Sequence, residues 1–146
     1  MSEQPSSPEE LDRLSALIDG WLAVQLDENP TVAAVDHGEP GERRWYVRLD
    51  GEEKSTTTVW FTLGQRTLHY ETYVMPAPEE NHGDLYEHYG AAFAIGAEDA
   101  VFLVGQLPNA AIDHDELDRI LGSMYVYVEQ FFRPALRIGF ASRFGP

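Results

Sequence analysis

Residues 44–75 read RWYVRLDGEEKSTTTVWFTLGQRTLHYETYVM, and the fold class follows from their spacing. Trp45, Val47 and Leu49 stand two apart, as do Val59, Phe61 and Leu63, and again Leu68, Tyr70, Thr72 and Val74. A period of two puts each set on one side of an extended chain, as a sheet with one buried face requires. Strands are therefore expected over 44–49, 56–63 and 67–74. The turns between them, beginning at Asp50-Gly51 and Gly64-Gln65, are far shorter than the dozen or more residues of a parallel crossover, so the strands form an antiparallel meander. A further strand over 31–35 precedes them, joined through His37-Gly38-Glu39-Pro40-Gly41.

Outward from this sheet, each end of the chain reads as a helix. Residues 1–6 are expected to form a disordered arm. Ser7-Pro8-Glu9-Glu10 then supplies an N-cap, a proline at the first helical position and a glutamate three residues after the cap. Leu11, Leu14, Leu17, Ile18, Trp21, Leu22 and Leu26 follow at steps of three and four, and Asn29-Pro30 ends the helix. Past the meander lie a proline-containing loop, PAPEEN, and at most a turn or two of helix over 84–89. A second hairpin follows, 92–95 and 101–104, joined by Gly96-Ala97-Glu98-Asp99. Its near-continuous apolar character suits a central strand or one covered on both faces. Asp113-His114-Asp115-Glu116 caps a long terminal helix with a stripe of Leu117, Ile120, Leu121, Met124, Val128, Phe131, Ala135 and Ile138, which Pro134 should kink or interrupt. The expected architecture is α+β: an antiparallel sheet flanked by N- and C-terminal helices, in the order α-β-β-β-β-α(short)-β-β-α. No repeat or long linker divides it, so residues 7–146 are expected to form one domain.

Composition bounds the function. The chain has 146 residues, 43% of them hydrophobic, enough for one ordinary core without metal or disulfide staples. It has no cysteine, which excludes thiolate nucleophiles, disulfides and Cys-ligated metal. Ten Lys+Arg against twenty-five Asp+Glu give a net charge of -15, which disfavours nucleic-acid phosphates and anionic membranes as partners. The polar, acidic start is unlike a secretory leader and the apolar runs are short for a membrane span, so a cytoplasmic protein is expected.

Templates for chemistry are weak. The sequence holds no glycine-rich phosphate loop, no HExxH pair, no EF-hand loop and no G-x-S-x-G elbow. His37 and His114 sit at a turn and in a helix first turn, where solvated polar residues are ordinary. His69 lies on the strand side opposite Leu68 and Tyr70. Glu79, Glu80, His82, Asp84, Glu87 and His88 are dense enough to suggest a divalent ion, but they fit no ligand spacing and read more simply as an acidic connection. No catalytic, metal or cofactor-binding residue is expected.

Aromatic residues are the surplus. Trp60 points to the side of Thr58 and Thr62, away from Val59 and Phe61, and Tyr127 and Phe132 fall off the main stripe of the last helix. Apolar groups on two faces of one element imply a second burial surface. The residues after Phe132 add Arg133, Arg137 and Arg143, with no side-chain acid, to an otherwise acidic protein. The candidate partner-binding residues are accordingly Trp60, Tyr73, Tyr127, Phe132, Arg133, Arg137, Phe140 and Phe144.

The strings WFTLGQRTLHYETYVMPAPEEN, FAIGAEDAVFLVGQLP and ELDRILGSMYVYVEQFFRPALRIGFASRF resemble the actinobacterial branch of the YbjN-domain family over about two-thirds of the chain. That resemblance implies a fold similar to type III secretion chaperones, which commonly dimerise and bind segments of client proteins. It implies no enzymatic activity and carries the provisional label of sensory transduction regulator. Relatives carry a longer helix after the LYE string, whereas Leu85-Tyr86-Glu87-His88-Tyr89 here runs almost directly into Gly90, which bears on whether the family's dimer transfers. The expected function is a non-enzymatic interaction or chaperone-like domain that binds a protein segment or forms a homodimer. The rival is a small-molecule-binding or weakly catalytic domain, with Arg133 and Arg137 fixing an anion in a pocket between the sheet and the last helix.

Overall fold

A computed structural model describes residues 4–77, 79, 93–95 and 100–144. The chain runs through α1 (Pro8–Glu28), β1 (Val32–His37), β2 (Arg44–Asp50), β3 (Thr56–Leu63), β4 (Thr67–Met75), β5 (Phe93–Ile95), β6 (Val101–Pro108) and α2 (His114–Gly139), with 3-10 turns at Asn109–Ala111 and Ala141–Phe144. The strands form one antiparallel sheet in the order β1-β2-β3-β4-β6-β5. The expected helix over 84–89, the turn over 96–99 and the acidic cluster beyond Glu79 lie outside the described residues.

The alternation read from β2, β3 and β4 is the alternation of burial. Trp45, Val47, Leu49, Val59, Phe61, Leu63, Leu68, Thr72 and Val74 are buried on one face, and β6 adds Val101, Leu103 and Leu107. Both helices cover this face: Leu11, Leu14, Ile18, Trp21 and Leu22 from α1, and Leu117, Ile120, Leu121, Met124, Val128 and Ala135 from α2, join it in one core. Each such aliphatic side chain contributes roughly 1.5–3 kcal/mol when fully buried. Trp21 meets Phe61 edge-on with centroids 5.9 Å apart.

The two buried indoles need partners for their N–H groups, and each finds a helix carboxylate. Trp45 donates to Asp19 Oδ1 at 2.7 Å, where His37 Nε2 also lies 3.0 Å away. Trp21 donates to Asp118 Oδ1 at 2.8 Å, joined by Gln25 Nε2 at 3.1 Å. One acid thus ties α1 to the sheet and the other ties α1 to α2. Both helix starts carry the caps expected from sequence: the Glu10 N–H donates to Ser7 Oγ and the Glu116 N–H to Asp113 Oδ1.

Several boundaries differ from expectation for local reasons. β1 extends through Asp36 and His37, which pair with Tyr46 and Trp45. β6 runs to Pro108 instead of stopping at Val104, because Gly105 and Gln106 continue the ladder opposite Tyr70 and His69. β6 is internal, as its composition suggests, while β5 is an edge among the described residues. Leu26, at the margin of the α1 stripe, is 50% exposed, and Gln25 turns to α2 instead. The last helix continues past Pro134 to Gly139. Within the expected arm, the Ser6 N–H donates to the Gln65 carbonyl at 2.7 Å and its hydroxyl accepts from Asn109 Nδ2 at 3.0 Å.

The β2–β3 connection is held by α2. The backbone N–H groups of Glu52, Glu53 and Lys54 all donate to the Glu129 carboxylate, at 2.5, 3.2 and 3.0 Å. A side chain on Gly51 would meet the Lys54 carbonyl at 2.2 Å and Glu129 Oε2 at 2.9 Å, so only glycine leaves room for this clasp. Burial alone would push the Glu129 carboxyl up. The N–H donors of Lys54, Glu52 and Glu53, with the Tyr125 hydroxyl, outweigh it and hold the group below its usual 4.5.

Two sets of variants test this account. In Gly105→Ala the new methyl would lie 2.4 Å from the Tyr70 ring, so urea unfolding should show a loss of about 1–3 kcal/mol from overpacking. Gly20→Ala, on α1 with nothing within 4 Å of the added carbon, should instead gain about 0.5–1 kcal/mol from helix propensity. Glu129→Ala should cost about 1–2 kcal/mol at neutral pH by removing the charged acceptor that holds the β2–β3 connection. Because the folded-state carboxyl is depressed, its contribution is present above 4.5 and is lost as pH falls through the lowered value. Wild-type and variant stabilities should therefore converge in acid, measured by denaturant titrations across that range.

Candidate functional site

The face of the sheet turned away from both helices carries the alternate residues of each strand. Direct cross-strand partners set a central row on this face: Asp36 on β1, Tyr46 on β2, Trp60 on β3, Glu71 on β4 and Val104 on β6. The row to one side contains Arg44, Thr62, His69 and Gln106. On the other side lie Ala34, Arg48 and Thr58, and the pair Tyr73 and Phe102.

The aromatic members touch one another in a diagonal band. Tyr46 and Trp60 stand at 87° with centroids 6.5 Å apart, Trp60 and Phe102 are 5.9 Å apart, and Phe102 and Tyr73 are 5.8 Å apart at 80°. All four rings are half-buried, so each keeps part of its surface in water. An open groove of about 250 Å³ runs along one end of the band, lined by Arg44, Tyr46, Trp60, Thr62 and Glu71. At the other end Lys54 Nζ lies 5.3 Å from the Tyr73 ring and 5.9 Å from the Phe132 ring, and donates to the Thr56 carbonyl at 3.0 Å. Burial lowers the pKa of this ammonium and raises that of the Tyr73 hydroxyl.

The sequence-expected residues separate into distinct places. Trp60 and Tyr73 share the outer face, linked through Phe102. Tyr127 is 46% exposed and stacks on Phe131 at 5.7 Å on one flank of α2. Phe132, expected off the main stripe, packs against the core from the other flank, while Phe131, expected on the stripe, is only half-buried. Phe140, the C-cap residue of α2, is 9% exposed and joins the core, with the Arg143 guanidinium 5.9 Å from its ring. Phe144 ends the last 3-10 turn, and its side chain lies outside the described residues.

Arginine does not gather where an anion site between sheet and helix would need it. Arg133 pairs with Glu53 of the β2–β3 connection, Arg143 pairs with Glu79, and Arg137 is exposed. A shallow hollow beside the end of α2 is lined by Pro76, Glu79, Leu136, Phe140 and Arg143, with neither Arg133 nor Arg137 among them. Among the described residues no group of three metal-ligating side chains converges, and no helix is long and apolar enough to cross a membrane.

Tyr46 and Phe102 belong to the band but were not expected there. Tyr46 lies between buried Trp45 and Val47, so strand parity alone places it on the side of Trp60. Phe102 sits in a strand apolar on both sides, where parity gives no signal.

No protein-family model matches the chain. An uncharacterised protein of Mycobacterium tuberculosis (strain ATCC 25618 / H37Rv) is 33% identical over 104 residues, covering 66% of this chain and 57% of its own length. One of Mycobacterium leprae (strain TN) is 31% identical over 110 residues, covering 70% of this chain and 60% of its own length. The chain thus spans less than two thirds of the curated relatives it matches. Among solved structures, a chain from the crystal structure of the ExsC–ExsE complex superposes with a TM-score of 0.53 at 16% identity, over 88% of this chain and 95% of that one. At that identity the likeness is one of fold alone, and the fold is the secretion chaperone-like α+β arrangement.

Proposed function

We propose that residues 7–146 form one non-enzymatic interaction domain of the YbjN kind, which docks a segment of a partner protein on the outer face of its sheet. The observation that carries this reading is the band of Tyr46, Trp60, Phe102 and Tyr73, half-exposed on the face that neither helix covers. Contiguous apolar surface on a water-soluble fold is costly to leave bare, and aromatic rings are the groups that anchor interfaces. A pleated face with a shallow groove suits an extended or helical segment laid across the strands. The fold neighbour, ExsC–ExsE, was crystallised as a complex of two proteins. A partner segment is favoured over a second copy because a net charge of -15 on each copy opposes self-association at long range.

Photo-crosslinking tests this directly in the cells that make the protein. A photoreactive residue at position 46 should yield a discrete adduct with another protein, lost on Trp60→Ser. The same residue at position 115, in the first turn of α2, should yield none. Equal adducts from both positions, or from the helix alone, would overturn the docking face. An adduct of two copies of the chain would replace the partner segment with a homodimer.

A further inference from the structure

The chemistry of the central row specifies what the docked segment carries at one position. This inference rests on the outer face being a docking surface. Asp36, Tyr46, Trp60 and Glu71 are successive cross-strand partners, so the row reads acid, ring, ring, acid over roughly 15 Å at the usual strand spacing. Tyr46 and Trp60 stand at 87° to each other and line the groove together with Arg44, Thr62 and Glu71. The negative π-face of an indole attracts a cation, and a carboxylate one strand away adds a charged acceptor for its N–H donors. Glu71 faces His69 Nε2 at 3.9 Å, and no arginine or lysine among the described residues pairs with it.

We infer that the partner segment places a single arginine or lysine side chain in this groove, on Trp60 and against Glu71, flanked by apolar residues that cover Tyr46 and Phe102. The flanking rows make the fit positional. Arg44 and Arg48 lie two residues to either side along β2; Arg44 also lines the groove, and its guanidinium is drawn toward Glu42 at 3.8 Å. A cation is therefore favoured over Trp60 and Glu71, on the side away from Arg44 and Arg48, which selects an isolated basic residue over a polybasic tract. The net charge of -15 draws such a segment in from a distance.

The probes are three acetylated, amidated peptides, Gly-Leu-Ser-X-Ser-Leu-Gly, with X arginine, glutamine or glutamate. Calorimetry gives affinity. Tryptophan emission reports the site, since Trp21 and Trp45 are only 2% and 3% exposed and Trp60 is the accessible indole. The arginine peptide should bind about tenfold more tightly than the glutamine peptide, an effect within the range of a cation held on an indole. The glutamate peptide should bind weakest. Glu71→Gln, checked for cooperative unfolding, should erase the preference, and added salt should reduce it. Equal binding of all three peptides, tighter binding of the glutamate peptide, or a preference that survives Glu71→Gln overturns the cation while leaving the docking face standing. Binding that is indifferent to Trp60→Ala overturns both. Absence of binding by the arginine peptide at millimolar concentration also overturns the cation, and the crosslink at position 46 then judges the face by itself.

Discussion

An apolar sheet face six strands wide measures roughly 24 Å across at the usual strand spacing, and one helix about 10–12 Å in diameter covers less than half of it. Here the buried face with Trp45, Val47, Val59, Phe61 and Leu68 imposes that demand, and two helices meet it. Placing both on one face makes the remaining contacts necessary. The indoles of Trp21 and Trp45 are trapped beneath helices, so each needs an acceptor. Asp118 and Asp19 supply them and fix how α1 sits on the sheet and against α2. The same arrangement leaves the opposite face without a cover of its own among the described residues.

The clasp at Glu129 joins the two sides of the molecule. It sits on α2, over the apolar face, yet it shapes the connection from which Lys54 reaches Tyr73 at the end of the outer aromatic band. Phe132 lies under the same ammonium from the helix side. The position of the β2–β3 connection, and with it one end of the band, is therefore set by a helix that does not itself lie on the outer face.

The alternation in β2, β3 and β4 and the caps of both helices were legible because each depends on residues near in sequence. Ser7 meets Glu10, and Asp113 meets Glu116, within one turn. What was not legible depends on distant partners. Gly105 and Gln106 look like the end of a strand until the Tyr70 ring is seen to occupy the space a side chain at Gly105 would need. Phe131 and Phe132 both border the apolar stripe of α2, and helical period alone does not say which flank packs inward. Phe140 read as part of an outward tail because the burial of a residue just past a helix end depends on distant core contacts, which composition does not show. On the outer face, Trp60 was legible from parity, whereas its contact with Phe102 needed the order of the strands.

The bond from Trp21 to Asp118 spans 97 positions of the chain. A ribosome releases α1 before the strands and α2 after them, so the sheet can pair its early strands long before the second helix arrives. Through that interval the part of the apolar face that α2 covers stays in water, and a long-range closure of this kind is slow compared with the local turns that precede it. The nascent chain thus passes through a stage at which its own apolar face is open to misassociation, before the face we assign to a partner has a finished core behind it.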